Sequence, residues 1–181
     1  MAPVLGLLGP HAWSARLVSA LAGALTPLAL YWAAAPMLGR RAALLGAALL
    51  AWASWGLSMS RWAFPATLDH LLVLTAVGLL WRGLERAKLR RFAFAHFALA
   101  GLLAGLAVYA YHTGRVAPLA LAAVAAIRLG RSRAAWRRAM PGLAAAALVG
   151  ALTLGPLAYY ILSDLDGYNR RVGSVSILDS N

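Results

Sequence analysis

The stretch 141–162, PGLAAAALVGALTLGPLAYYIL, runs for 22 residues without a charged side chain and decides the fold class. A helix needs about 20 consecutive apolar residues to cross the hydrocarbon core of a bilayer. Inside lipid, only helices and closed barrels satisfy their own backbone hydrogen bonds. We therefore predict that this stretch is a transmembrane helix.

Five further apolar stretches precede it, separated by basic runs or short polar segments. They lie at residues 17–38, 42–59, 67–81, 92–111 and 116–129. The stretches 17–38, 42–59 and 92–111 are also long enough to cross a bilayer. The stretches 67–81 and 116–129 are short, so they either are extended by snorkelling arginines or enter the bilayer only in part. The alternation of charge along the chain favours full crossing by both.

The composition of the whole chain supports this prediction. Of its 181 residues, 62% are hydrophobic and only 12% are charged, and the mean hydropathy is +0.73. An ordinary globular domain is roughly half apolar and about one quarter charged. A soluble fold of this composition would leave large apolar patches facing water. We expect an all-α bundle of about six transmembrane helices over residues 1–163, with residues 164–181 forming an external loop or the start of a following segment.

The charged residues are placed as in a membrane protein. The net charge is +12, and basic residues gather in three short runs at residues 40–41, 82–91 and 128–138. Such runs between apolar stretches are typical of cytoplasmic loops that fix topology. Nucleic acid is therefore not a predicted partner. Cysteine is absent, so the chain has neither a disulfide framework nor a thiolate metal site.

The predicted orientation places the three basic runs in the cytoplasm and both chain ends outside. An N-terminus beginning at Met1 would then have to be carried across the membrane. The simplest explanation is a preceding helix, so we expect the chain to be a fragment.

Polar side chains collect at the predicted external helix ends, and two of these segments carry an arginine. Ser60 and Arg61 end one apolar stretch, and the segment 109–115, YAYHTGR, ends another. Arginine binds phosphate through two parallel hydrogen bonds, and tyrosine can add a third to the same oxygens. The alternative is that both arginines snorkel to ordinary lipid phosphates.

Asp69 lies shortly after Pro65, at the predicted start of a helix. A carboxylate in the first turn is favoured by the helix dipole. Asp69 could instead pair with Arg61 or act as a base. Together with Ser60 and His112 it forms the polar support that we predict around the two arginines. The sequence shows no set of metal ligands and predicts no cofactor, although a divalent metal stays open as an unsupported possibility.

The order of several segments resembles one family of membrane enzymes. These segments are 13–26 (WSARLVSALAGALT), 38–45 (LGRRAALL), 58–61 (SMSR), 80–84 (LWRGL), 97–101 (FALAG), Tyr109-x-Tyr111 with Arg115, and 172–177 (VGSVSI). They are similar to GT-C-fold glycosyltransferases, the bacterial relatives of protein O-mannosyltransferases and aminoarabinose transferases, or glycosyltransferase family 39 in the broad sense. The resemblance covers nearly the whole chain in the same order.

This resemblance implies transfer of a sugar from a polyprenyl-phosphate donor to an acceptor on the outer face of a bacterial plasma membrane. It implies that Arg61, Tyr109, Tyr111 and Arg115 bind the phosphate of the donor. In the family the catalytic acid lies in the first external loop, which would precede Met1. By this resemblance the chain alone lacks the catalytic acid.

Two other functions stay open from the residues alone. One is a small multi-pass transporter or a flippase-like subunit, which should carry ionisable groups in the middle of its spans. The predicted spans are almost free of such groups. The other is a non-catalytic membrane assembly partner.

Overall fold

The computed structural model describes residues 11–62, 64–89 and 93–165, and its regular structure in these ranges is entirely helical. The predicted all-α membrane bundle is confirmed. Its elements are α1 (Ala12–Leu38), α2 (Arg40–Trp52), α3 (Ser54–Arg61), α4 (Ala66–Lys88), α5 (Phe94–Ala110), the 3₁₀ helix η1 (His112–Val116), α6 (Ala117–Leu129) and α7 (Arg133–Ser163).

Three segments of the described part are long and apolar enough to cross a membrane: Arg16–Leu38 within α1, all of α4, and α7. The apolar helix α5 has 17 residues and falls just below that length. The stretch 67–81, which looked short in the sequence, lies inside the 23 residues of α4 because the helix continues through Arg82, Arg86 and Lys88. These long side chains can keep their charges at the membrane surface while their stems stay in the apolar region.

The predicted stretch 42–59 is two helices rather than one. Helix α2 ends at Trp52 and α3 begins at Ser54, with Ala53 in an extended conformation between them (φ −62°, ψ 112°). No proline or glycine stands at this break. The hydropathy pattern therefore gave no signal for it.

Helix α4 lies at the centre of the described bundle. It contacts α1, α3, α5, α6 and α7, whereas α2 packs on α1. Where α4 meets α1, the Trp32 ring occupies the space beside Gly78, and a Cβ there would come within 2.5 Å of the ring. Arg82 reaches the same side of α1, donating to the Trp32 carbonyl at 2.6 Å while its guanidinium stacks 3.6 Å from the ring centroid. These contacts fix the register of α1 on α4.

The interior of the bundle consists mainly of small residues. Most of the buried apolar residues are alanines, and Phe97 and Leu80 are the largest of the fully buried side chains. Helices α5 and α7 approach so closely that a Cβ at Gly101 would overlap the Ala146 carbonyl. Close approach of backbones through small residues is a common way for helices to associate in lipid. Gly101 and Gly105, four residues apart on α5, both lie at this close contact with α7.

The bundle has two chemically different ends. The basic end holds the Gly39 turn before Arg40, the end of α4 and the turn between α6 and α7. Arg128 joins α6 to α4 at this end, because its Nε donates to Glu85 at 2.6 Å. The opposite end, called here the Asp69 end, holds the start of α4, the end of α3 and η1. Arg90, Arg91 and residues 166–181, with most of the predicted external segment, lie outside the described residues.

Candidate functional site

A short 3₁₀ segment shapes the Asp69 end. Tyr111 is extended (φ −159°, ψ 159°) and ends α5, and η1 follows and leads directly into α6. Gly114 is buried against the last turns of α5, where a Cβ would overlap the Ala107 carbonyl. Only glycine allows this close approach, which places Arg115 in the last turn of η1 with its side chain exposed.

Asp69 is the buried acid of this end, with 4% of its surface exposed. It lies in the first turn of α4, as predicted. Its Oδ2 accepts a hydrogen bond from the Thr113 hydroxyl at 2.6 Å. Its Oδ1 is also buried and has no hydrogen-bond partner among the described residues. Because buried polar atoms normally have partners, Asp69 both holds η1 against α4 and keeps one acceptor for a further donor.

Aromatic rings join the segment after α3 to η1. The Phe64 and Tyr111 ring centroids lie 5.2 Å apart, and the His112 ring lies 3.9 Å from that of Tyr111. The Phe64 carbonyl is held from two sides, because it accepts hydrogen bonds from Ser19 at 3.1 Å and from Thr67 at 2.9 Å. The chain just beyond Arg61 is thereby fixed beside Tyr111.

Both predicted arginines lie at this end and are exposed. Arg61 is the last residue of α3, and Arg115 is one residue before the end of η1. Within the described ranges, Arg128 and Glu85 form the one ion pair between side chains, so neither Arg61 nor Arg115 is neutralised by a described carboxylate. The proposed pairing of Asp69 with Arg61 does not occur. The Ser60 side chain is outside what the structure describes.

Tyr109 has a partner that the sequence did not indicate. Its hydroxyl donates to the Thr153 carbonyl at 2.8 Å and accepts from the Leu157 amide at 3.2 Å. Thr153 and Leu157 are four residues apart on α7, on either side of Pro156, whose missing amide already weakens the helix there. The Tyr109 hydroxyl therefore ties α5 to the weakened turn of α7, and its single proton is already donated.

Two contacts of this end were not singled out from the sequence: the Thr113 hydroxyl on Asp69 and the Phe64 ring on Tyr111. Each joins residues more than 40 positions apart, so no local pattern could show it. The glycine at position 114 was the available signal, because a glycine inside a polar segment often marks a close backbone approach. Among the described residues, no three His, Cys, Asp or Glu side chains come together as a metal site would require.

The fold and this end together define a class: a multi-pass helical membrane protein with cationic, aromatic and buried acidic groups gathered at one surface of the bundle. The comparison with family models gives the particular family. The model described as dolichyl-phosphate-mannose-protein mannosyltransferase matches residues 1–160, and the chain belongs to that family. It is thus a membrane glycosyltransferase of the mannosyltransferase type. No curated protein and no solved structure matches the chain.

Proposed function

We propose that the protein acts on a sugar carried by a polyprenyl phosphate and that the Asp69 end binds the phosphate of this donor. The family membership supports a lipid-linked sugar as the donor. The observation that supports this site is a pair of contacts near the two arginine-bearing segments. The Phe64 ring, shortly after Arg61, packs against Tyr111, and the Thr113 hydroxyl, shortly before Arg115, donates to Asp69.

In this proposal Arg61 and Arg115 act on the phosphate as it leaves. When the bond between the sugar carbon and the phosphate oxygen breaks, negative charge grows on that oxygen. A cation that is already in place stabilises this charge more in the transition state than in the ground state. Arginine suits the task because its planar guanidinium can bind two phosphate oxygens at once.

The tyrosines take different roles. Tyr111 lies beside His112 and Phe64, and its hydroxyl is the one we assign to the donor phosphate. Tyr109 is assigned a positioning role, because its hydroxyl already binds the α7 backbone. Asp69 offers its unpartnered Oδ1 to a donor group, such as a sugar hydroxyl, and His112 completes the polar surroundings.

The orientation belongs to the same proposal. The basic end would face the cytoplasm, as positively charged loops generally do, and the Asp69 end would face outward. Transfer would then take place at the outer face of the membrane. The acceptor has no assigned residue among those described.

A transporter is the weaker alternative. The described spans place Arg82 on the Trp32 ring and on two backbone carbonyls, which makes it a link between α1 and α4 rather than a charge lining a path. Glu85 likewise serves as a link between helices, because it accepts a hydrogen bond from Arg128 of α6. Family membership also favours the transferase.

Donor binding tests the proposal directly. The affinity of the purified chain for polyprenyl phosphate is measured in nanodiscs of neutral lipid, with polyprenol, which lacks the phosphate, as the ligand control. Arg61→Gln and Arg115→Gln should each weaken phosphate binding by roughly tenfold or more, because a charge-assisted hydrogen bond contributes about 1.5–3 kcal/mol. Binding of polyprenol should not change.

The matched control variants are Arg133→Gln and Arg137→Gln, which remove the same charge from exposed positions at the basic end. They should bind polyprenyl phosphate as the unmodified chain does. Unchanged affinity for polyprenyl phosphate in both Arg61→Gln and Arg115→Gln would reject the assignment.

A further inference from the structure

A second feature of the molecule lies at the basic end, away from the candidate donor site. A pocket of about 290 Å³ opens where the end of α4, the end of α6 and the start of α7 meet. Its polar wall is formed by Lys88, Arg128, Ser132 and Arg138, and its floor includes Leu84 and Leu129. This is called the α4–α6–α7 pocket below. It combines cationic walls with an apolar floor.

The charges of the pocket are not balanced by the residues around it. Arg128 is fixed and neutralised, because its Nε donates to Glu85 at 2.6 Å and its guanidinium lies 5.3 Å from the Trp81 ring centroid. Lys88 and Arg138 have no carboxylate within ion-pair distance in the described ranges. The described residues that line the pocket include no acidic side chain. Among the described residues, the cations Lys88 and Arg138 of the pocket thus have no carboxylate partner.

The local backbone also favours an anion. Helix α7 begins at the edge of the pocket, and Ser132 caps it by accepting from the Ala135 amide at 3.3 Å. The first turn of a helix carries unpaired amides and a partial positive charge. The two cations and this helix start therefore act on the same space.

The apolar lining distinguishes a lipid from a small soluble ion. Leu84 and Leu129 close the bottom of the pocket as part of the buried core, and the accessible apolar surface is that of Ala87, Ala134 and Ala135. A hydrated inorganic ion gains nothing from such a surface, whereas the glycerol and the first acyl carbons of a lipid do. The volume is near the lower end of the roughly 300–1,000 Å³ that small-molecule sites occupy, which suits a headgroup.

We propose that the α4–α6–α7 pocket binds the phosphate of an anionic phospholipid, with Lys88 and Arg138 on the phosphate oxygens and Ala87 and Ala135 against the glycerol. Basic pockets between membrane helices are known to hold phospholipid headgroups. The bound lipid would join α4, α6 and α7 at the end where the chain connections are short. This proposal is independent of the donor site, because it concerns the opposite end of the bundle.

The test is a count of retained lipid. The chain is purified from membranes containing phosphatidylglycerol and phosphatidylcholine, and bound lipid is identified by native mass spectrometry. Phosphatidylglycerol should be retained over phosphatidylcholine. In the variant Lys88→Gln/Arg138→Gln the affinity for phosphatidylglycerol should fall by roughly thirtyfold, from about fivefold for each basic side chain at a membrane surface.

Control variants distinguish an effect of the pocket residues on lipid binding from an effect of the net charge. Arg133→Gln/Arg137→Gln removes two charges from the same helix, outside the pocket lining, and should retain the lipid. Lys88→Arg/Arg138→Lys keeps both charges in the pocket and should retain it as well. Equal loss of lipid in the pocket variant and in the Arg133→Gln/Arg137→Gln control would overturn the proposal.

The last arm identifies the source of the phosphate. Inorganic phosphate and glycerol phosphate are added to the lipid-loaded chain at concentrations in excess of the lipid. The proposal predicts that neither displaces phosphatidylglycerol. Displacement by either compound would show a site for a soluble anion and would contradict the lipid assignment.

Discussion

Asp69 is the residue on which the geometry of the candidate site depends. Asp69 is 4% exposed, so its carboxylate loses most of its hydration. Only one of its two oxygens accepts a hydrogen bond from a described residue, the Thr113 hydroxyl. Leaving a buried polar atom unpaired costs about 1–3 kcal/mol. Such a cost is typical of positions that serve a ligand rather than the fold alone. We therefore interpret the free Oδ1 as an acceptor that the substrate satisfies.

The Thr113 hydroxyl gives a prediction at this scale. Thr113→Val keeps the shape of the side chain and removes the hydrogen bond, so both Asp69 oxygens would lack a partner. We expect a loss of about 1–3 kcal/mol in the free energy of unfolding, measured by denaturant titration in mixed micelles. Donor affinity should fall with it, because Arg115 is two residues further along η1.

The control for this change is Thr113→Ser, which keeps the hydroxyl and should retain most of the stability. If the valine and serine variants prove equally stable, the hydrogen bond to Asp69 does not hold η1 in place.

At the scale of elements, α5 connects the core to the site. Its small residues pack against α7, and its last turn carries Tyr109, whose hydroxyl binds the Thr153 carbonyl and the Leu157 amide. Lipid offers no water to replace such bonds. The position of Tyr111, two residues beyond, therefore depends on how firmly the end of α5 is attached to α7.

Tyr109→Phe tests this dependence. The variant removes one hydroxyl and leaves the ring, and polar contacts between membrane helices contribute about 0.5–2 kcal/mol. We expect a decrease of that size in unfolding free energy, and a smaller effect on donor affinity than Arg115→Gln has. The matched control is Tyr159→Phe on α7, where the residue is 76% exposed and its hydroxyl should contribute little.

A larger effect of Tyr109→Phe on donor affinity would change the role assigned to Tyr109. If Tyr109→Phe lowers donor affinity as much as Arg115→Gln while stability is unchanged, the hydroxyl acts on the donor and not on α7.

The elements also show what the sequence could predict. Uninterrupted apolar runs predicted the helical membrane bundle, since charge-free segments of membrane length have few other structures. Helix length was harder: α4 continues through Arg82 and Lys88, and the break at Ala53 has no proline or glycine to mark it. Hydropathy averages over a window and cannot resolve either feature.

The candidate site was predictable in its residues but not in its contacts. Arginine and tyrosine at apolar helix ends were visible in the sequence, and Asp69 was recognised as a first-turn acid. The partner of Asp69 and the partner of Tyr109 are both more than 40 residues away. Only the packing of α4, α5 and α7 brings these groups together, and this packing cannot be predicted from a single sequence.

In the whole molecule, the two ends of the bundle have different proposed roles: the basic end binds a phospholipid, and the Asp69 end binds the donor phosphate. The basic end gathers arginines and lysine around short connections, and the Asp69 end presents two arginines without a described carboxylate partner. Lipid phosphates are available at both surfaces of a bilayer. In the proposed function the two ends differ in the side of the membrane that they face, because cytoplasmic loops are generally enriched in basic residues.

The proposal requires that Arg61 and Arg115 share an outward-facing surface, and the side of the membrane that each end faces can be measured. The chain has no cysteine, so single engineered thiols can be labelled without background. Trp62→Cys and Val116→Cys, at exposed positions next to the two arginines, report on the Asp69 end, and Ala134→Cys reports on the basic end. With a membrane-impermeant maleimide on intact cells, positions 62 and 116 should be labelled, and position 134 only after permeabilisation. Labelling of position 134 from outside, with 62 and 116 protected until permeabilisation, would contradict the account.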